Sequence, residues 1–97
     1  MAAIDPGAHF TRGEDTLHRV LEGEAVIVDL TTGTYFGLNE TGTRVWEILG
    51  AEGGATVDAV AAALAAEFDV PEAAAAKDAR ALLERLATRG LVRVTGA

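Results

Sequence analysis

Apolar residues recur along this chain first with the period of a strand and then with that of a helix. Residues 25–30 form an apolar run interrupted by Asp29, and Thr31-Thr32-Gly33 follows it. Such a run, bounded by a short loop containing glycine, predicts a β-hairpin. With residues 31–33 as the loop, Leu30 stands opposite Thr34, Val28 opposite Phe36 and Val26 opposite Leu38. Side chains alternate along a strand, so Val26, Val28, Leu30, Phe36 and Leu38 are expected on one face. Ile27 and Tyr35 are then expected on the outer face. Asn39 occupies the position of a helix N-cap, with Glu40 in the first turn and Val45, Trp46 and Leu49 at helical spacing behind it.

The flanking segments extend this pattern in both directions. Residues 16–21 (TLHRVL) alternate weakly and predict a first strand, and Glu22-Gly23-Glu24 turns it into the central one. Residues 1–15, with Pro6, Gly7 and Gly13 and no period, read as a flexible N-terminal arm. Downstream, the glycine-rich residues 50–55 end the first helix, and Thr56 can cap a second. Val57, Val60, Ala61, Leu64 and Phe68 then form an amphipathic stripe. That helix is expected to end near Asp69 and Val70, because Pro71 disfavours helical geometry in the residue before it. Pro71 and Glu72 open a third helix, with Ala79, Leu82, Leu83 and Leu86 as its buried stripe and Gly90 as its C-cap. Residues 91–94 add a short extended segment. The expected fold is α+β: a three-stranded antiparallel meander followed by a three-helix bundle of winged helix-turn-helix type, one domain over residues 16–97.

Composition narrows the chemistry. The chain has 97 residues, 49% of them hydrophobic, which is enough for one modest core. No apolar stretch approaches the roughly 18 residues of a membrane span. The first ten residues lack the basic-then-apolar order of a secretory signal, so a cytoplasmic location is expected. There is no cysteine and no serine, and the two histidines, His9 and His18, do not form a metal-binding pair. No catalytic residue, metal or cofactor is expected, and the chain is read as a non-enzyme.

Charge divides the chain. Residues 1–76 hold 13 acids and 3 bases, a balance of −10, whereas residues 77–97 hold 2 acids and 5 bases, a balance of +3. Lys77, Arg80, Arg85, Arg89 and Arg93 suit either a solvated helix face or a surface for an acidic partner. A winged-helix DNA-binding regulator is one alternative reading. DNA affinity draws largely on phosphate neutralisation, however, and a net charge of −7 opposes it. Neither a nucleic-acid nor a membrane partner is expected.

The series Tyr35-Phe36-Gly37-Leu38-Asn39-Glu40-Thr41-Gly42, then Val45-Trp46 and Ile48-Leu49, resembles the motif of PqqD-like proteins, the recognition elements of ribosomal peptide pathways. Glu67-Phe68-Asp69-Val70-Pro71 and residues 86–92 (LATRGLV) match the same family, so the likeness covers residues 16–94. A chain of this size looks most like the stand-alone leader-binding protein of a lasso-peptide pathway. A PqqD-type chaperone for a radical enzyme is the alternative within the family. The resemblance implies that a precursor's leader adds as a strand to the third strand, in the groove against the third helix. A separate leader peptidase would be a second partner, and a lasso cyclase is left open as another.

Carried onto this chain, Thr34, Tyr35, Phe36, Gly37 and Leu38 would supply the backbone ladder. Val28, Leu30 and Phe36, with Leu82, Leu83 and Leu86, would wall the apolar pockets. Lys77, Arg80 and Arg85 would pair with leader acids, and Ile27 or Tyr35 would face the peptidase. The physics agrees in one respect: a meander ends in an edge strand, whose free N–H and C=O groups an extended peptide can use.

Overall fold

The computed structural model describes residues 7–51 and 53–95. The elements run β1 (His9–Arg12), β2 (Thr16–Leu21), β3 (Glu24–Asp29), β4 (Tyr35–Gly37), α1 (Glu40–Gly50), β5 (Ala55–Thr56), α2 (Val57–Phe68), α3 (Glu72–Thr88) and β6 (Val92–Thr95). The strands form two antiparallel sheets, ordered β2-β3-β4 and β5-β1-β6. The first sheet, followed by three helices, is the meander and bundle that the sequence predicts.

The β2–β3 connection is a two-residue turn. Leu21 pairs with Glu24, and both Glu22 (φ 54°) and Gly23 (φ 83°) adopt the left-handed region. A turn of this kind matches the twist of its strands but suits asparagine followed by glycine, because other side chains crowd the carbonyl there. Glu22→Asn is therefore expected to raise stability by about 1 kcal/mol. A higher urea midpoint at unchanged slope would register it.

The second hairpin differs from expectation by one residue. The Asp29 side chain accepts hydrogen bonds from the backbone N–H of Thr31 (2.9 Å) and Thr32 (3.4 Å), so the turn begins one residue early. Asp29 N–H donates to Thr34 O at 2.8 Å, which leaves a four-residue loop, 30–33, with Gly33 at φ 78°. Val26 now pairs with Gly37, Ile27 with Phe36 and Val28 with Tyr35. A slip of one residue exchanges the two faces of a strand. Ala25 and Ile27 accordingly enter the core, and Val26 and Val28 turn outward beside Tyr35. Ile27, expected on the outer face, is fully buried.

The helices start and stop where their caps indicate. The Asn39 side chain accepts from Gly42 N–H at 2.8 Å, and that of Thr56 accepts from Ala59 N–H at 3.2 Å. Asp69 in the left-handed region ends α2, with Pro71 close behind. At the end of α3, Leu91 N–H donates to Leu86 O at 2.9 Å around Gly90 (φ 76°), a Schellman closure. The buried Thr43 hydroxyl accepts from Ala25 N–H at 2.7 Å and ties α1 to β3. Arg44 forks onto Glu67 at 2.7 and 3.0 Å, joining α1 to α2 and holding that exposed carboxyl below its usual range.

The second sheet corrects the reading of the N-terminus. Residues 1–6 of the expected arm lie outside the described residues, as does Glu52 of the glycine-rich connector. Residues 9–12, by contrast, form β1, the central strand of its sheet. Phe10 pairs with Ala55 on one side and Val94 on the other, and its side chain is wholly buried. Arg12 donates through Nε to Trp46 O at 2.9 Å and lies 4.8 Å from the Trp46 ring centre. Its guanidinium crosses Gly50, where a Cβ would collide with it. Trp46, Phe10, Ile27, Leu49, Leu64, Leu83 and Leu86 are among the largest fully buried side chains. Each contributes about 1.5–3 kcal/mol of burial free energy. No helix among the described residues is long and apolar enough to cross a membrane.

Candidate functional site

β4 is the outer strand of its sheet, so one side of its backbone has no strand beside it. Leu38 N–H donates to Ala25 O and Asp29 N–H to Thr34 O, both at 2.8 Å. These bonds turn the backbone groups of Thr34 and Leu38 toward β3, and alternation turns those of Phe36 the same way. The N–H and C=O groups of Tyr35 and Gly37 therefore point away from the sheet. The free edge offers two donors and two acceptors.

Across from this edge runs α3. The two walls stay apart and leave a groove of about 520 Å³, lined chiefly by Phe36, Leu38, Val45, Asp78, Leu82 and Arg85. A second cavity of about 510 Å³ continues it toward the end of α3, where Phe36 and Arg85 are joined by Ala81, Glu84, Thr88 and Arg89. Phe36 belongs to both cavities. The guanidinium carbons of Arg85 and Arg89 lie 5.7 and 5.3 Å from its ring centre, within cation–π range. The groove is thus apolar in its middle, acidic at Asp78 and cationic at its far end.

The expected site residues divide between groove, core and outer face. Phe36, Gly37, Leu38, Leu82 and Arg85 line the groove. Leu83 and Leu86 are wholly buried and belong to the core rather than to a groove wall. The slipped hairpin removes Val28 to the outer sheet face, opposite Tyr35, and puts Leu30 in the loop with 58% of its surface exposed. Thr34 closes that loop, where its hydroxyl meets that of Thr32 at 2.7 Å. Tyr35 contributes outward backbone, while its side chain is 72% exposed on the outer face. Lys77 and Arg80 lie off the groove wall.

Sequence reasoning did not assign Asp78, Ala81 or Arg89 to the groove. Once Ala79, Leu83 and Leu86 are fixed as the core stripe, helical spacing places residues 78, 81, 82, 85 and 89 along the neighbouring strip. That signal was present, but the rotation of α3 was needed to use it.

His9 lies in β1, and His18 sits edge-on to Trp46 with ring centres 6.1 Å apart. Among the described residues, no three His, Asp or Glu side chains gather as a metal site. The outer sheet face carries a cross-strand row of Leu17, Val28 and Tyr35. Leu17 and Tyr35 in this row are largely exposed.

The family model described as coenzyme PQQ synthesis protein D (PqqD) matches residues 24–92. A solved structure of TbiB1 in complex with the TbiA(beta) leader peptide is similar with a TM-score of 0.79 and 30% identity, covering 90% of this chain and 99% of that one. A lasso peptide synthetase B1 complexed with the leader peptide is similar with a TM-score of 0.75, covering 87% of this chain and 96% of that one. At 24% identity this second likeness shows the fold alone. No curated protein matches the chain.

Proposed function

The chain belongs to the PqqD family, and from that premise we propose that it binds the leader segment of a ribosomally synthesised precursor peptide in lasso-peptide maturation. The leader adds as a strand to β4 and lies in the groove against α3. The observation that carries this reading is the outward pair of backbone groups at Tyr35 and Gly37, beside a groove lined by both apolar and charged side chains. Main-chain bonds to that edge supply affinity without regard to sequence, and the side-chain pockets supply selectivity. The likeness to TbiB1, which was solved with a leader peptide, supports the same assignment.

In this role the protein is a non-catalytic presenter. A separate leader peptidase acts on the bound precursor, and a cyclase acts on the product. The row of Leu17, Val28 and Tyr35, exposed at Leu17 and Tyr35, lies on the opposite face from the groove and suits the peptidase, since both partners could then be held at once. Presentation to a radical enzyme would use the same groove, and neighbouring genes for a cyclase and a peptidase distinguish the two pathways.

Fluorescence anisotropy tests the proposal, with two labelled probes. One is the leader of any precursor peptide found encoded beside this gene, and the other is the TbiA(beta) leader. Saturable binding of the first, at or below tens of micromolar, is expected. A folded protein that binds neither probe over that range would overturn the assignment.

A further inference from the structure

We infer that the far end of the groove is a carboxylate subsite, formed by Arg85 and Arg89 over Phe36, which selects an acidic side chain on the bound peptide. The inference rests on the reading of the groove as a peptide site and adds the chemistry of one of its positions.

Arg85 and Arg89 are four residues apart on α3, so they occupy one strip of the helix, where like charges repel. Both guanidiniums nevertheless converge on the Phe36 ring, at 5.7 and 5.3 Å. A cation held by an aromatic ring spends none of its N–H donors on a hydrogen bond to that ring's edge, so the donors stay available to an acceptor. Neither arginine forms an ion pair with a described residue, unlike Arg44 with Glu67 or Arg93 with Glu14. Glu84 lines the same cavity without pairing with either. Two cations therefore border a cavity of about 510 Å³ that shares Phe36, Ala81 and Arg85 with the β4 groove. A carboxylate there would relieve their repulsion and accept from both.

Geometry also sets the position of this acid on the peptide. For a strand that runs along α3, the midpoint of Arg85 and Arg89 lies five residues beyond Leu82, about 7.5 Å along the axis. Side chains on one face of a strand repeat at about the same distance. The acidic residue accordingly stands two positions from the apolar side chain that rests on Leu82. Such an acid discriminates as well as binds, since a basic residue at that position meets two like charges.

A ribosome-displayed library of random dodecapeptides, panned against the full chain, tests this whatever the leader's sequence. Wild-type protein is expected to enrich Asp or Glu at a fixed position two residues from an apolar one. An Arg85→Glu/Arg89→Glu variant, shown to be folded by circular dichroism, is expected to enrich Lys or Arg there instead. Changing the selected acid to its amide in a synthetic consensus peptide should weaken wild-type binding about tenfold. Enriched peptides with no acid at that position, or the same motif from both proteins, would overturn the subsite and leave the groove assignment standing. If the wild-type protein enriched no peptide at all, the groove assignment would fail as well.

Discussion

A Phe10→Ala variant is expected to lose about 3–5 kcal/mol of folding free energy, the usual cost of removing a fully buried aromatic ring. The loss would be a large part of the total, because domains of this size are stable by only about 5–15 kcal/mol. Phe10 lies between Ala55 and Val94 in the central strand of the second sheet, with none of its surface exposed. Truncating a fully buried ring in a close-packed core leaves a cavity that the surroundings fill only in part. Urea denaturation followed by circular dichroism measures the effect as a lower midpoint. A change below about 1 kcal/mol would mean that β1 is peripheral, as a loose arm would be, and that the core closes without it.

Gly37→Pro is expected to raise the dissociation constant for the leader roughly thirtyfold while leaving the fold in place. The Gly37 N–H points away from β3, so proline removes no ladder bond inside the sheet, and edge strands tolerate proline in that orientation. Phe36 before it is already extended, as a residue preceding proline must be. A Cβ at position 37 meets nothing within 4 Å. The cost falls on the ligand, which loses a main-chain donor and keeps a carbonyl without a partner, about 2 kcal/mol together. The anisotropy titration reads it directly, with Gly37→Ala as a control expected near wild type. If the proline variant bound the leader as tightly as the unaltered chain, strand addition at β4 would be wrong.

Local signals were legible in the sequence, and long-range ones were not. Asn39, Thr56, Pro71 and Gly90 each act within a few residues, and each marks a helix end. The hairpin register turned on one side chain, Asp29, whose bonds to Thr31 and Thr32 start the turn early. A loop of three residues and one of four look alike on paper but present opposite faces. This is why Phe36 and Leu38 line the groove while Val28 and Leu30 do not. β1 was hidden for another reason: a four-residue strand with one large apolar side chain has no period. Its partners lie at Ala55 and Val94, far along the chain. On α3, the apolar stripe was plain, but Leu82 differs from Leu83 and Leu86 only in which wall it faces. The groove's arginines required that same rotation.

Phe36 is a wall of two cavities at once, and this makes the groove a coupled device rather than a row of independent pockets. Its ring, half-buried and overlain by two guanidiniums, has one set of orientations for both sides. On the proposed binding mode, a peptide group that settled against Leu82 would narrow those orientations, and a group at the arginine end would then meet a ring already in position. The conformational entropy lost in ordering the ring is incurred once and shared by both contacts. On the proposed binding mode, selectivity in this groove is expected to be cooperative: a peptide bearing both the apolar and the acidic group should gain more than the sum of peptides bearing one each.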